Sequence, residues 1–444
     1  MYTKECRIEQ IKGWGNFPKA EGKVFRPERV GDLFAVINKG DKTLLARGGG
    51  TSYGDASINV DGINIDTKRL NRMLHFDPQD GILHCQSGVT LEDIIKTFLV
   101  KGWFLNVTPG TQFATVGGCI ACDSHGKNWK AGSFSNHIKG LRLMLHDGSI
   151  VCCDDNHNSD IFYATCGGMG MTGIILDVQL QLKRVRSSYV DVETLWFENL
   201  RELFDLLCES KESYEYNFAW VDSHKEGYNL GRGVLQRANH NNNECLFYKE
   251  NWKVSVPFCM PSLAINKYSV NAFNSINYTM AKIRKSKKTI YLIQYFYPLD
   301  GVINWNNIYG KRGLIEYQIA IPVRDAYETI VSILKIVSKS KLASVVAAIK
   351  PIVKSKGLIS FPINGYTLAI DFQYSTKVLQ LLDKLDRIVV EKGGRVYLAK
   401  DARLSAKNFR EMYSESLDSW EFIREKCNAR GKFLSLMFNR FYKI

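Results

Sequence analysis

No run of about 18 apolar residues occurs anywhere in the sequence, so no segment has the make-up of a membrane-spanning helix. The stretch Met1 to Arg7 lacks the apolar core of a secretory signal, and the expectation is a soluble or peripheral protein. Repeats and low-complexity tracts are also missing, which excludes solenoid, collagen-like and disordered classes. Cysteines number 11, an odd count that includes the neighbours Cys152 and Cys153. That pattern fits reduced thiols and no disulfide framework. Cys119 and Cys122 form a single C-x-x-C, with no second pair or histidine cluster at ligand spacing, so no metal is expected there. Buried small cysteines are the plainer reading beside a nucleophilic or redox pair. Acid is the other shortage: 45 Asp plus Glu against 59 Lys plus Arg leave a net +14. Such an excess favours nucleic acid, a phosphorylated ligand or an anionic membrane surface. A nucleic-acid reader would show a known module or a basic, aromatic stripe on one element; none is visible, and no nucleic-acid partner is expected.

What is present reads as a folded chain of two or three domains: 444 residues, 45% hydrophobic and 23% charged. Up to about residue 185, short strand-like runs such as Thr43 to Ala46 and Gly81 to Cys85 alternate with helical segments. Leu91, Ile94, Ile95 and Phe98 share one helical face, with Thr90 as N-cap and Asp93 completing a capping box. The expectation is an α+β domain over 1–187. From about 190 aromatics and lysines become dense. Tyr291 to Tyr297 and Gly313 to Ile321 read as strands, Tyr327 to Val337 and Thr376 to Val390 as helices. These point to a second domain over 188–394, a sheet with helices against one face, and a third segment, 395–444, with a helical aromatic tail. The run Lys282 to Lys288 carries five positive charges in seven residues. It reads either as a solvated loop or as a contact for anionic headgroups.

Three glycine-rich elements follow in the first domain. In Arg47-Gly48-Gly49-Gly50-Thr51-Ser52-Tyr53-Gly54-Asp55, glycines after a strand allow successive N–H groups to converge on an anion, although a tight turn would use them too. The long element from Thr108 to Asn128 has small residues at Ala114, Thr115, Gly117, Gly118 and Ala121, which lets a large flat ligand lie against the main chain. The third, Gly168 to Gly173, matches G-x-G-x-x-G and has Asp191 downstream. Yet Ile174 to Leu182 alternates with period two and reads as a strand, whereas a dinucleotide fingerprint must open a helix, so a nicotinamide site is rejected.

Taken in order, these elements resemble the FAD-binding (PCMH-type) domain of the vanillyl alcohol oxidase and p-cresol methylhydroxylase superfamily. Thr108-Pro109-Gly110-Thr111, Val116-Gly117-Gly118, Ala121-Cys122-Asp123, His125-Gly126-Lys127-Asn128, Ala131 to Phe134 and Tyr397 to Arg403 narrow the resemblance to its decaprenylphosphoryl-ribose oxidase branch. Ser360-Phe361-Pro362 and Ile370-Asp371-Phe372 extend it through nearly the whole chain. The resemblance implies a two-domain flavoprotein in which 395–444 completes the FAD domain and an antiparallel sheet with helices forms the substrate domain. It implies FAD contacts from Ala46, Arg47, Gly48, Gly49, Gly50, Thr51, Ser52, Tyr53, Gly54, Asp55, Ala56, Gly110, Thr115, Val116, Gly117, Gly118, Cys122, Asp123, Ser124, His125, Ile175 and Tyr397. Arg47 and Lys127 would assist with the pyrophosphate. Substrate contacts would come from Tyr297, Gln318, Lys350, Thr367, Asp371 and Lys400.

Lys400 is the leading catalytic candidate, a cation that would stabilise charge developing on a sugar oxygen or on reduced flavin; its alternative is a salt bridge to Asp401 or Asp371. Tyr53 is the second, as a proton-accepting phenol or as a shield over the flavin. His125 is a base or, more simply, a hydrogen-bonding partner of cofactor or backbone. Two departures stand out: Thr51 occupies the place where many relatives attach FAD through a histidine, which implies non-covalent FAD, and Ala369 stands where some members carry a cysteine. The resemblance implies oxidation of the 2-hydroxyl of a polyprenyl-phosphate-linked pentose to a ketone. A nicotinamide-dependent short-chain reductase would complete an epimerisation at the cytoplasmic side of the inner membrane, in cell-envelope synthesis. The alternative is an aldonolactone or alditol oxidase acting on a small soluble sugar.

Overall fold

Hydrogen-bonded strand pairs sort the chain into three main sheets in the computed structural model, which describes residues 6–38, 42–250, 252–261, 265–284, 286–342, 346–427 and 431–442. Strands β1 (Arg7–Lys12), β2 (Lys19–Phe25), β3 (Leu44–Arg47) and β4 (Ile63–Asp66) make a mixed sheet in the order β1-β2-β4-β3. Strands β5 (Met73–Asp77), β6 (Ile82–Gln86), β7 (Trp103–Leu105), β8 (Ile138–Met144), β9 (Ile150–Cys153) and β10 (Ile174–Arg184) make an antiparallel sheet around the long β10. The rest of the chain supplies β11 (Tyr189–Phe197), β12 (Tyr216–Val221), β13 (Gly233–His240), β14 (Val254–Ser255), β15 (Lys287–Tyr291), β16 (Val302–Ile303), β17 (Leu314–Pro322), β18 (Ala347–Ile352), β19 (Gly365–Gln373) and β20 (Arg395–Val396). β14 and β16 pair in parallel, and the other eight form one antiparallel sheet, β15-β11-β13-β12-β18-β19-β17-β20. This is the expected α+β architecture with a separate antiparallel sheet and its helices.

Alternation decides which side of that sheet does what. In β17, Ile315, Tyr317, Ile319 and Ile321 are buried, and the Tyr317 hydroxyl reaches Asp386 at 3.1 Å on the helix Thr376–Glu391. The opposite side carries Glu316 and Gln318, and faces the first domain. The helix Val323–Ser340 covers the apolar side together with Thr376–Glu391, burying Ile330, Ile333, Leu334, Leu382 and Leu385. Both helices lie where periodicity placed them. The helix Leu91–Phe98 has the capping box anticipated at its start, Thr90 accepting from the Asp93 N–H at 3.1 Å. A cap of this kind stabilises a helix by about 1 kcal/mol.

Two readings of the sequence need correction. Tyr291 to Tyr297 is not one strand: β15 ends at Tyr291 and Leu292–Phe296 is a helical turn that buries Leu292, Ile293, Tyr295 and Phe296. An unbroken apolar run fits a buried strand and a buried helix equally, and periodicity cannot separate them. The basic run is not a loop either. Lys282 belongs to the helix Lys267–Ile283, and Lys287 and Lys288 lie on β15, at the sheet's edge, where lysines discourage pairing with another chain. Lys285 lies outside the described residues.

The end of the chain returns to its beginning. The Leu44 N–H bonds the Lys432 carbonyl at 2.6 Å, and the Leu434 N–H bonds the Leu44 carbonyl at 3.0 Å. The first glycine loop is held the same way, with the Tyr53 N–H on the Ala399 carbonyl at 3.0 Å and the Asp55 N–H on the Asp401 carbonyl at 3.3 Å. Among the described residues no helix is long and apolar enough to cross a membrane.

Candidate active site

A cavity of about 700 Å³ lies between the glycine loops and the polar face of the large sheet. Its floor is built from two loops pressed together. A Cβ on Gly49 would sit 2.6 Å from the Phe113 carbonyl oxygen, so no larger residue fits without moving the backbone, and Gly50 adopts a φ of 65° that favours glycine. The N–H groups of Gly49, Gly50, Thr51 and Ser52 take no hydrogen-bond partner among the described residues, while no carboxylate of this loop lines the cavity. A row of free amides without nearby negative charge suits a pyrophosphate. In the second loop Thr115 caps the short helix Val116–Ala121, accepting from the Gly118 N–H at 3.2 Å, and the chain then passes Cys122, Ser124 and His125 along the wall. The turn at Gly168 to Gly173 supports this loop, with Gly167 and Met169 donating to the carbonyls of Ile120 and Ala121. It leads into β10, as its alternating sequence requires.

The roof is the sheet. Register places Glu316 opposite Asp371, Gln318 opposite Ala369, and Ala348 opposite Ala369 on the next strand, with Lys350 opposite Thr367. Glu316, Gln318, Ala348, Lys350, Ala369 and Asp371 all line the cavity. Lys400 enters from the segment after β20. Its Nζ lies 2.9 Å from Glu316 Oε2 and 3.4 Å from the Tyr53 ring centroid. The partner is therefore Glu316, not Asp401 or Asp371. Asp401 is taken by Arg440 at 2.9 Å, and Tyr309 donates to Asp371 at 3.4 Å.

Burial and neighbouring charge set the protonation pattern. Asp371 is pushed well above the usual carboxylate range by burial and by the charge of Glu316. Lys350 is lowered to about 8 by burial, with Lys400 adding repulsion. Lys127, lowered to about 7 by burial and by Lys350, lies over the Tyr295 ring at 4.1 Å and donates to the Tyr295 carbonyl. Tyr53 is pushed well above 10 by burial and by Glu316, which disfavours its phenolate as a base. His125 is pushed well below its usual value by burial and by Lys350 and Lys400. It is a neutral ring whose Nε2 accepts from Gln318 Nε2 at 2.8 Å, leaving a buried Nδ1 without a partner among the described residues. That donor, the free loop amides and the cavity's volume match the needs of FAD.

The structure brings most of the expected residues to the cavity: Ala46, Gly48, Gly49, Gly50, Thr51, Ser52, Tyr53, Ala56, Gly110, Thr115, Gly117, Gly118, Cys122, Ser124, His125, Ile175 and Tyr397, with Gln318, Lys350, Asp371 and Lys400. Others sit behind the wall. Arg47 holds the Ser57 carbonyl at 2.9 Å and the Lys12 carbonyl at 2.7 Å. Gly54 is pressed on the Asp401 carbonyl, and Asp55 pairs with Arg440 at 3.0 Å. Val116 is core, and Asp123 accepts from Ser360 at 2.6 Å and from the Ser135 N–H at 3.0 Å. Tyr297 is fully buried with its hydroxyl 2.5 Å from Thr108 Oγ1, and Thr367 reaches the cavity only through Gln318, at 3.1 Å. Cys119 and Cys122 are free thiols raised by burial, so neither favours a thiolate. No group of side chains placed to hold a metal occurs among the described residues. Sequence reasoning missed Glu316, Trp14 and Trp305. Glu316 carried a signal, since it stands two residues before Gln318 on the same strand face; the tryptophans meet only through tertiary packing.

Fold and site together define a flavin-dependent oxidoreductase. A family described as the FAD binding domain matches residues 23–154. The chain is 31% identical over 97% of its length, and 97% of the relative's, to decaprenylphosphoryl-beta-D-ribose oxidase of Mycolicibacterium smegmatis. It is 28% identical to an uncharacterised protein of Streptomyces coelicolor over 78% of this chain and 98% of the other. It is also 28% identical to L-gulonolactone oxidase of Mus musculus, over 46% of this chain and 47% of that one. The chain belongs to the PCMH-type FAD-binding oxidase family, FAD-linked enzymes acting on CH–OH groups of sugar-like substrates.

Proposed function

We propose that this enzyme oxidises the 2-hydroxyl of a pentose carried on a polyprenyl phosphate, such as decaprenylphosphoryl-ribose, to the ketone. The observation that carries the reading is the extent of similarity: the relative named for a decaprenylphosphoryl-ribose substrate matches through the large sheet and the C-terminal return, whereas the lactone oxidase matches over less than half. FAD, held without a covalent bond because Thr51 offers no linking side chain, supplies the hydride acceptor. The chain's own residues do the rest. The free amides of Gly49 to Ser52 hold the pyrophosphate. Lys400 places positive charge where the sugar oxygen loses its proton, and the Glu316 carboxylate beside it takes that proton. Gln318, oriented by His125 and Thr367, presents its amide to the sugar. Lys350, cationic below about pH 8, suits the substrate phosphate.

Such a substrate places the enzyme at the cytoplasmic face of the inner membrane, against anionic lipid. The keto-sugar needs a nicotinamide-dependent reductase to complete an epimerisation for the cell envelope. The deciding experiment is anaerobic reduction of the purified flavoprotein, followed by loss of the flavin absorbance, with polyprenyl-phosphoryl pentose, free pentoses and aldonolactones. Bleaching by the lipid-linked pentose is expected. Bleaching by free lactones alone would defeat the reading in favour of a soluble lactone or alditol oxidase.

A further inference from the structure

The helix Lys267–Ile283 carries apolar side chains on its outer face as well as its inner one. Its sheet-facing side buries Val270, Asn274 and Tyr278, with Asn274 donating to Asp222 at 2.9 Å, and Ser275 accepts from Arg232 at 3.2 Å. Its solvent side carries Phe273, Ile276, Met280 and Ile283, spaced three, four and three residues apart and so aligned in one stripe. Ile276 and Ile283 are 63% and 75% exposed, and Trp252, earlier in the same acid-free stretch of sequence, is 90% exposed. A contiguous exposed apolar stripe marks an interaction surface.

Charge identifies the occupant. From Asn251 to Leu299 the sequence contains no Asp or Glu, while Lys253, Lys267, Lys282, Arg284, Lys285, Lys287 and Lys288 fall within it. Face-to-face contact with a second copy would oppose these cations with no acid of the segment to answer them. An anionic bilayer meets both needs, since apolar side chains enter the headgroup boundary and cations attract the surface. The inner face of the helix and the segment before it reach the cavity wall. Val270 packs in one cluster with the cavity-lining Trp305, and the Val256 N–H bonds the carbonyl of Ile303, an exposed residue on the cavity wall.

We infer that the outer stripe of the helix Lys267–Ile283, with the exposed cations Lys282, Arg284, Lys287 and Lys288 that follow it, is a docking face for an anionic lipid bilayer and sets the cavity beside the membrane. The inference rests on the lipid-linked reading above and gives it a surface. The test is flotation of the full-length FAD-loaded protein with phosphatidylcholine vesicles, with and without phosphatidylglycerol. Binding is expected only where phosphatidylglycerol is present, and it weakens with added salt. The variant Phe273→Ser, Ile276→Ser, Ile283→Ser is expected to bind at least about tenfold more weakly. The variant Arg284→Gln, Lys287→Gln, Lys288→Gln loses roughly fivefold per cation at low salt. All six positions are exposed and remote from the reacting groups, so flavin content and turnover of a water-dispersed short-chain substrate are retained. Equal flotation of wild type and both variants overturns the inference. So does a dimer in sedimentation equilibrium that the apolar variant dissolves. Vesicle binding with bleaching by lactones alone sinks the substrate reading and leaves the docking face; bleaching by the lipid-linked pentose without vesicle binding does the reverse.

Discussion

Two carboxyl groups face each other across β17 and β19, and their environments predict opposite responses to the same chemical change. Glu316 is paired with Lys400 at 2.9 Å, with side chains 10% and 21% exposed. Removing one partner of a fully buried pair costs about 3–5 kcal/mol, and an exposed pair is worth about 0–1. Glu316→Gln lies between, at about 2 kcal/mol, a drop of roughly 2 °C in the thermal midpoint for a chain of this length. Asp371 has no such cation to itself, and burial with the Glu316 charge holds its carboxyl well above the ordinary 3.8. Between the unfolded and folded values the native state binds the extra proton, so this group's contribution is fully present below the unfolded value and is lost as pH rises through the folded one. Asp371→Asn therefore costs little near neutrality, and its midpoint improves relative to wild type as pH rises above the ordinary 3.8. Thermal unfolding of the holoenzyme, followed by flavin fluorescence as pH is varied, measures both. An Asp371→Asn variant less stable than Glu316→Gln at pH 7, or a wild-type difference flat with pH, would refute the assignment of charge to Glu316.

Lys400→Met should lower kcat by about 10²–10³ while FAD content stays unchanged, because a cation acting on developing charge matters most in the transition state; a loss under threefold in stopped-flow reduction would count against it. KM for a phosphate-linked substrate should rise as pH passes about 8, where Lys350 becomes neutral, and Lys350→Gln should flatten that profile. For stability the sign is opposite: between about 8 and 10.5 the unfolded chain binds this proton and the folded one does not, so Lys350 makes the fold more stable as pH rises there. Acid precipitation should leave the yellow colour in the supernatant; colour in the pellet would show a covalent flavin.

Much of the site was legible because strand alternation is a strong constraint. Once Gly313 to Ile321 reads as a strand, Glu316 and Gln318 must share a face, and the same period in β19 gathers Thr367, Ala369 and Asp371. The glycine loops were legible for a different reason, since Gly49 and Gly50 answer backbone demands that few other residues meet. Lys400 could be singled out, but not its partner: two carboxylates were closer in expectation, and only the register of β17 against the returning segment selects Glu316. Tyr297 fails as a cavity residue because the apolar run before it winds into a helical turn at Leu292, rotating its ring toward Thr108. The apolar stripe of Lys267–Ile283 needed the structure, since sequence alone cannot say which side of a helix meets the sheet.

The return of the chain to β3 has a consequence for biosynthesis. The first glycine loop leans on Ala399 and Asp401, and β3 is flanked by Lys432 and Leu434. On a ribosome, the early strands that form the cofactor floor emerge long before the residues that close it, and such contacts of high sequence separation are slow to form. Tight flavin retention thus becomes a late event in maturation, and release of a yellow chain reports that synthesis has run past Leu434 and that the ends have met.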